Sequence, residues 1–371
     1  MIRSTTPRAQ RAGFLPRAVM ASLAALLAAA GPAAAQMPDS LAAGPAVRMS
    51  AVTQPLPTMP QYTRVDVPYL RDMLAQRTNN RLTMQLSSHA ERNLGGNEIV
   101  RLVRSGQADI GAGTLSTLSG DVPILDGIDL AGLSPDIEQA KKIADAILPA
   151  ANRDLERFGV RLMVIYPFPA QVLFCRQPFT TLSDLRGRKI RTFGNSLNDL
   201  ISTIGAQPVS IGFPEVYSAL ERGVADCAVT GTGSGAAARW PEVSTHISDL
   251  PLSWSLAGYM VNLAWWNRLD PAVRTFMEGT FREMNDKLWD LGRIATDDGI
   301  ACDTGVAADC KLHPLAARPM TLVRATQADR ELVTNTFRTT ILPNWVGRCG
   351  ARCGEVYNQM VAPIGGVEYR R

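Results

Sequence analysis

The sequence has few of the residues that build metal sites and nucleophilic active sites. Its three histidines, His89, His246 and His313, are far apart, and no HExxH or other close metal-ligand pattern is present. Residues 231–236 fail the nucleophile-elbow pattern, because a threonine and not a glycine stands two positions before Ser234. A catalytic triad could still assemble in space, but nothing marks one. We therefore expect no enzyme, no bound metal and no cofactor.

The chain also lacks dense basic runs and long apolar stretches. Its formal charge of +4 falls to zero without residues 1–35, because that segment holds four arginines and no acidic residue. Nucleic-acid binding usually needs a basic patch that neutralises phosphates, so we expect no nucleic-acid partner. No later segment reaches the roughly 20 apolar residues of a membrane span, so we expect no membrane insertion of the chain's own.

Residues 1–35 are predicted to be a secretory signal peptide. Four arginines precede an apolar run from residue 18 to residue 30, and small residues end at Ala35. This order is typical of a signal peptide that is cleaved after the last small residue. The sequence therefore predicts export to the periplasm.

The six cysteines are expected to form disulfides, because the exported compartment is oxidising. Sequence alone does not fix the connectivity, since six cysteines allow many pairings. A metal site at the last two cysteines is the weaker interpretation, because no histidine lies near them. The candidate pairs share either close spacing or neighbouring strands: Cys302 with Cys310, Cys349 with Cys353, and Cys175 with Cys227.

Strand-like and helix-like segments alternate along the chain. Val47 to Thr53 and Leu82 to Leu86 are predicted strands, with a helix from Tyr62 to Arg77 between them. Such alternation indicates an α/β fold with mainly parallel sheets. A long helix is predicted from Asp270, with apolar residues at steps of three and four through Leu291, and it is long enough to span two domains.

The length predicts two domains, since one domain usually holds about 100 to 200 residues. Pro167 and Pro169 separate two strand-like segments and mark a crossing between the domains. We predict that residues 36–160 plus about 246–285 form the first domain. Residues 161–245 plus about 286–371 then form the second.

Residues 182–191 place an arginine on a short strand directly after a glycine turn. Because side chains alternate along a strand, Arg191 and Phe193 share one face, which can line a cleft. A guanidinium offers a carboxylate two parallel donors, a fork that lysine lacks. The alternative is a surface arginine that pairs with Asp184 or Asp199.

The residues after this arginine carry a family resemblance. Residues 208–210, 213–220 and 224–226, in that order, resemble the substrate-binding subunits of TRAP transporters, the DctP-like family. Residues 94–98 and 105–111 look more weakly similar to the same family. The resemblance implies a two-domain periplasmic binding protein with a ligand cleft between the domains and a long domain-spanning helix.

The resemblance also implies a function and a role for Arg191. Such a protein captures an organic acid anion and delivers it to a TRAP membrane permease, in which an ion gradient drives transport. The matching arginine of the family grips the ligand carboxylate. Family members commonly have Asp-Gly, a variable residue and then Glu-Asn-Pro in the next strand, whereas this chain has Thr230 where the asparagine often contacts ligand. The departure leaves open whether the ligand is a dicarboxylate, a keto acid or an aromatic acid.

The other candidate ligand contacts are aromatic residues, which would form an apolar wall, and polar residues at strand ends, where open α/β sheets place their ligands. Each aromatic residue taken alone is more often part of a core. Besides Arg191 and Thr230, these candidates are Phe193, Trp254, Tyr166, Phe168, Thr53, Gln54, Ser88 and Thr114.

Other functions remain as alternatives. A periplasmic ligand-binding module of a sensor system would have the same ligand chemistry, and an exported enzyme acting on an organic acid would need a catalytic constellation. Residues 231–236 also fit a dinucleotide fingerprint. However, Trp240 and Pro241 interrupt the helix that a Rossmann unit needs after it.

Overall fold

The computed structural model describes Leu41 and residues 44–370, so the predicted signal peptide lies outside the described residues. Eleven strands form two sheets within this part of the chain. The strands are β1 Val47–Thr53, β2 Leu82–Ser88, β3 Ile110–Thr114, β4 Val160–Tyr166, β5 Gln171–Cys175, β6 Lys189–Thr192, β7 Gln207–Ser210, β8 Cys227–Gly231, β9 His246–Ser248, β10 Ala257–Asn262 and β11 Thr321–Val323.

Each sheet is mainly parallel with one reversed strand. The first sheet has the order β2-β1-β3-β10-β4, and β10 runs antiparallel to both of its neighbours. The second has the order β11-β9-β5-β8-β6-β7, and β5 runs antiparallel to both of its neighbours. The predicted fold class is therefore confirmed.

Sheet membership differs from the predicted domain boundaries at two strands. β4 belongs to the first sheet, although residues after 160 were assigned to the second domain. β9 belongs to the second sheet, although residues from 246 were assigned to the first domain. The reason is pairing across the chain, because β4 pairs with β10 and β9 pairs with β5.

Two segments cross between the sheets, one from β4 to β5 and one from β9 to β10. They pair with each other: Phe168 N donates to Trp254 O over 3.1 Å, and Gln171 N donates to Ser253 O over 2.9 Å. The proline-containing segment at 167–170 is thus one of two adjacent crossings. The two connections between the sheets are therefore hydrogen-bonded to each other.

Helices pack against both sheets. The longer ones are Tyr62–Met73 with its continuation Leu74–Arg77, Ile99–Arg104, Ile137–Leu155, Asn195–Thr203, Val216–Glu221, Thr232–Ala237, Leu263–Arg268, Pro271–Asp303, Gln327–Thr336 with its continuations Phe337–Ile341 and Leu342–Cys349, and Ala351–Val356 with its continuation Tyr357–Val361. Short turns of helix are Ala90–Arg92, Gly96–Glu98, Leu115–Leu118, Pro123–Ile128, Glu156–Phe158, Leu182–Leu185, Phe213–Glu215, Trp240–Glu242 and Ala362–Gly365. None of the described helices is long and apolar enough to cross a membrane.

The long helix, Pro271–Asp303, contacts both halves of the fold. It begins as predicted, with the Asp270 side chain accepting a hydrogen bond from Ala272 N over 2.8 Å. Its Trp289 side chain donates to Ile165 O of β4, and its Thr296 carbonyl accepts from Thr232, which follows β8. The helix therefore connects the two sheets.

All three expected cysteine pairs are disulfide-bonded. One joins the paired strands β5 and β8, and the other two close short loops toward the C-terminus. The pairs are Cys175–Cys227, Cys302–Cys310 and Cys349–Cys353.

Candidate functional site

A cavity of about 360 Å³ lies between the two sheets. Residues at or just after the ends of parallel strands line it, among them His89 and Thr114 from the first sheet and Ser210 and Thr230 from the second. Open α/β sheets bind ligands at this edge. The volume is at the lower end of the range for small-molecule sites, about 300 to 1,000 Å³.

Arg191 lies in the cavity wall and is held in place by the backbone. It is 3% exposed on β6. Its Nε donates to Ile211 O over 2.9 Å, and its Nη1 donates to Val229 O over 2.9 Å. A guanidinium has five N–H donors, so these two hydrogen bonds leave donors available on the cavity side.

The guanidinium is buried without an acidic partner among the described residues. Burial alone lowers the pKa of Arg191 to about 9, and no nearby carboxylate opposes that effect. The two acids considered as surface partners are engaged elsewhere: Asp184 accepts hydrogen bonds from Thr180, and Asp199 forms an ion pair with Arg348 at 2.9 Å. The surface ion-pair alternative is therefore wrong.

Two phenylalanines flank the guanidinium. The Phe193 ring centroid is 5.3 Å from the Arg191 guanidinium carbon, and the Phe213 ring centroid is 5.9 Å from it. Both rings line the cavity, and both distances suit cation–π attraction. The rings hold the charged group in one orientation and shield it from water.

Half of the predicted contact residues lie together in the cavity lining. Of these residues, two lie in strands of the second sheet and one directly follows β6. One further residue lies in a crossing segment and one in the first sheet. They are Arg191, Thr230, Phe193, Phe168 and Thr114.

Three other predicted contacts lie outside the lining in a buried network. Thr53 Oγ1 donates to Asp66 Oδ2 over 2.6 Å, and Gln54 Nε2 donates to the Tyr166 hydroxyl over 2.9 Å. The Tyr259 hydroxyl donates to Asp66, and burial raises the pKa of that carboxyl to about 6. These side chains have a structural role: Thr53 and Tyr259 hold the helix Tyr62–Met73 against the first sheet through Asp66, and Gln54 connects the end of β1 to Tyr166 of β4.

Trp254 and Ser88 also lie outside the lining. Trp254 Nε1 donates to Ser134 O over 3.1 Å, and its backbone N–H donates to Asp129. Ser88 Oγ donates to Glu91 Oε2 over 2.8 Å. The polar atoms of both side chains are hydrogen-bonded within the protein. Both residues therefore have a structural role and are not ligand contacts as predicted.

Sequence reasoning missed His89, which lies in the cavity wall of the first sheet. Its Nε2 is 2.8 Å from Ala112 O, and a carbonyl only accepts, so Nε2 carries the proton. Burial lowers the pKa of His89 to about 4. The ring is therefore neutral near pH 7, and Nδ1 is a hydrogen-bond acceptor.

Several polar residues of the lining were also missed. The available signals were a glycine-rich loop at residues 94–97 and the asparagines of the helix that follows β6. The missed polar residues include Asn97, Ser116, Thr117, Asn195 and Asn198, and the aromatic residue Phe213 was missed as well. Among the described lining residues, Arg191 is the only lysine or arginine, and none is an aspartate or glutamate.

The sequence matches the profile of "Bacterial extracellular solute-binding protein, family 7" over residues 53–310. It is 26% identical over 216 residues to the 2,3-diketo-L-gulonate-binding periplasmic protein YiaO of Escherichia coli (strain K12). The alignment covers 57% of this chain and 65% of that protein. The chain thus spans slightly less than two thirds of this relative's length.

Solved structures share the fold. A Bordetella pertussis extracytoplasmic solute receptor binding pyroglutamic acid has a TM-score of 0.74 and 19% identity, and the match covers 84% of this chain and 98% of that one. A TRAP periplasmic solute-binding protein of Desulfovibrio salexigens with bound orotic acid has a TM-score of 0.75 and 17% identity, covering 85% and 99%. At this identity the likeness establishes the two-sheet architecture.

Proposed function

The chain belongs to family 7 of the bacterial extracellular solute-binding proteins, and within that family we propose that it captures an organic acid anion between its two sheets. It then delivers the anion to a TRAP-type membrane permease. Arg191 holds the carboxylate, and Thr230, Thr114, Phe193 and Phe168 contact the rest of the ligand.

The observation that carries this proposal is the buried, unpaired guanidinium. Removing a cation from water is costly unless an opposite charge compensates it. Arg191 has two backbone carbonyls as partners and no described carboxylate, and it faces a cavity. A ligand carboxylate supplies the missing charge and accepts the remaining donors, in the geometry that guanidinium and carboxylate favour.

The relatives support the chemistry. The Escherichia coli relative is described as binding 2,3-diketo-L-gulonate, and the two solved structures contain pyroglutamic acid and orotic acid. All three ligands are carboxylic acids. Different acid bodies therefore occur in this fold, and the carboxylate is the feature they share.

We place the protein in the periplasm, where the predicted signal peptide would send it and where the Escherichia coli relative is described as acting. Its role there is capture and release without turnover. A bound acid that is recovered unchanged after prolonged incubation supports this role, and chemical conversion of the acid would contradict it.

The first test is a ligand panel read by thermal shift and then by calorimetry. A ligand that binds only the folded state raises its melting temperature with concentration. We expect shifts with carboxylic acids and none with the corresponding primary carboxamides, because only the acids carry the charge that Arg191 lacks. Equal shifts with an acid and its amide would contradict the proposal.

Delivery to a permease is tested in cells. Deleting the gene should abolish uptake of the best radiolabelled acid, and restoring the intact gene should recover it. Uptake that persists together with loss of a transcriptional response to the acid would favour the sensor alternative.

A further inference from the structure

We propose that the cavity selects acids with a single negative charge and a neutral polar body that directs a hydroxyl or N–H donor at His89. This inference rests on the proposed function and narrows its ligand class. It is based on the charged groups and on the hydrogen-bond donors and acceptors of the two cavity walls.

The cavity can neutralise one negative charge. Arg191 is the only lysine or arginine among the described lining residues, and His89 is held neutral by its hydrogen bond to Ala112 O. The cation is on the wall of the second sheet, whereas the wall of the first sheet offers hydroxyl, amide and imidazole groups. A second carboxylate on the ligand would thus find no cation to pair with.

The surroundings also disfavour a second anion. The helix Asn195–Thr203 begins at the cavity, and a helix N-terminus by itself attracts anions. However, a buried acid, Asp126, stands behind this point, and a side chain at Gly194 would lie only 3.7 Å from its Oδ1. Burial raises the pKa of Asp126 to about 7, although Arg348 lies 3.8 Å from its carboxyl, so this acid repels a second ligand carboxylate at that helix end in its ionised form, above about that pH. Desolvating a carboxylate there without a partner is unfavourable.

The wall of the first sheet presents a hydrogen-bond acceptor, which a donor on the ligand can match. Since Nε2 of His89 donates to Ala112 O, the lone pair of Nδ1 is the group that His89 can offer a ligand. Among the described residues, none donates a hydrogen bond to Nδ1. A ligand hydroxyl or N–H matches it, whereas a carboxylate there would bring two acceptors together.

The cavity also offers hydrogen-bond donors to the neutral part of the ligand. Asn198 Oδ1 accepts from Thr192 Oγ1 over 2.5 Å, and its Nδ2 is a donor that Asn198 can offer a ligand. Thr114 and Thr230 supply hydroxyls from opposite sheets. A body with both donors and acceptors, such as a hydroxy acid or a lactam acid, satisfies both walls.

The test uses matched probes whose binding is measured by isothermal titration calorimetry near neutral pH. Glutarate and glutaramate have nearly the same shape, but the second has an amide in place of one carboxylate. Pyroglutamate and 5-oxotetrahydrofuran-2-carboxylate differ by a ring N–H against a ring oxygen. We expect glutaramate to bind at least about tenfold more tightly than glutarate, and pyroglutamate about tenfold more tightly than its lactone analogue.

Two variants connect these preferences to the cavity walls. His89→Gln keeps a donor for Ala112 O but has no acceptor at the Nδ1 position, so the preference for pyroglutamate over the lactone should nearly vanish. Asn97→Lys adds a cation at an exposed position of the first wall and should shift the preference toward glutarate. Circular dichroism melts show whether each variant folds, and Asn97→Lys tests the charge rule even if His89→Gln is unstable.

The outcomes separate this inference from the proposed function. Glutarate binding more tightly than glutaramate, with both dependent on Arg191, would overturn the single-charge rule and leave carboxylate capture intact. Equal binding of pyroglutamate and the lactone would overturn the donor rule. No binding by any acid of the panel would overturn the proposed function, and this inference with it.

Discussion

Replacing Arg191 by methionine should abolish ligand binding while changing stability little. The change removes the guanidinium but keeps a long side chain in β6. Its stability effect has two opposing parts. Loss of the donors to Ile211 O and Val229 O costs about 1–3 kcal/mol each. Removing a cation whose pKa burial lowers from 12.5 to about 9 returns about 5 kcal/mol. The unfolding free energy should therefore change by less than about 3 kcal/mol.

The effect on binding is much larger. A carboxylate bound to the free donors of Arg191 makes two charge-assisted hydrogen bonds, each contributing about 1.5–3 kcal/mol. Losing both lowers affinity at least about a hundredfold. Arg191→Lys is the matched control that keeps the charge. A lysine has all its donors on one nitrogen, so it cannot reach both carbonyls and still present a fork, and we expect an intermediate loss.

The assay combines chemical denaturation of the ligand-free variants with calorimetry using the best acid of the panel. Two results would refute the reasoning. An affinity of Arg191→Met within about threefold of the parent chain would show that the guanidinium does not hold the ligand. A loss of more than about 4 kcal/mol of unfolding free energy in the ligand-free variant would show that Arg191 serves mainly to hold the fold.

Three further predictions follow from individual contacts. Gly299→Ala should destabilise the folded protein by about 1–3 kcal/mol, because a Cβ there would lie 2.3 Å from Gly233 N. Gly279→Ala, in open space of the same helix, should stabilise the protein by up to about 1 kcal/mol. Chemical denaturation compares the two variants. Thr230→Val should weaken acid binding about three- to tenfold at unchanged melting temperature, and unchanged affinity would exclude a hydroxyl contact. Burial raises the pKa of Asp129 to about 7, so the folded chain binds this proton before the unfolded chain does. The ionised carboxyl thus costs stability above about pH 7, and the cost disappears as pH falls toward the ordinary value near 4. Asp129→Asn should therefore gain stability relative to the parent chain on going from about pH 5 to above about pH 7, and a pH-independent difference between the two melts would contradict this.

Elements set by local signals could be read from the sequence. The long helix begins at Asp270 and Pro271 as expected, because a capping carboxylate and a proline in the first turn act within a few residues. The helix Ile137–Leu155 shows the limit of such signals. Ser134 and Asp136, two positions apart, are both residue types that favour a helix N-cap, and Asp136 is the one that accepts the hydrogen bond from Gln139 N. The membership of β4 and β9 depended on strands far along the chain, which no local pattern encodes.

The same distinction explains the site. Alternation along β6 was enough to place Arg191 and Phe193 on the cavity side, because that geometry is local. Thr53 was misassigned because its partner, the carboxyl of Asp66, comes from a helix whose position only the folded chain defines, and Gln54 and Tyr166 were misassigned because they bond to each other across 112 residues of sequence. Polar residues at strand ends face either a cavity or a buried network, and the sequence does not distinguish them.

The division of chemistry between the two walls bears on how capture works. Arg191 is held by the carbonyls of Val229 in β8 and of Ile211, which follows β7. His89 is held instead by the carbonyl of Ala112 in the first sheet. A bare carboxylate would satisfy the second wall alone and would gain nothing from bringing the first wall closer. A ligand favours one arrangement of the sheets only by as much as its contacts differ between arrangements. An acid whose body reaches His89 makes such contacts, so the groups that select the ligand would also be those that hold the sheets together around it.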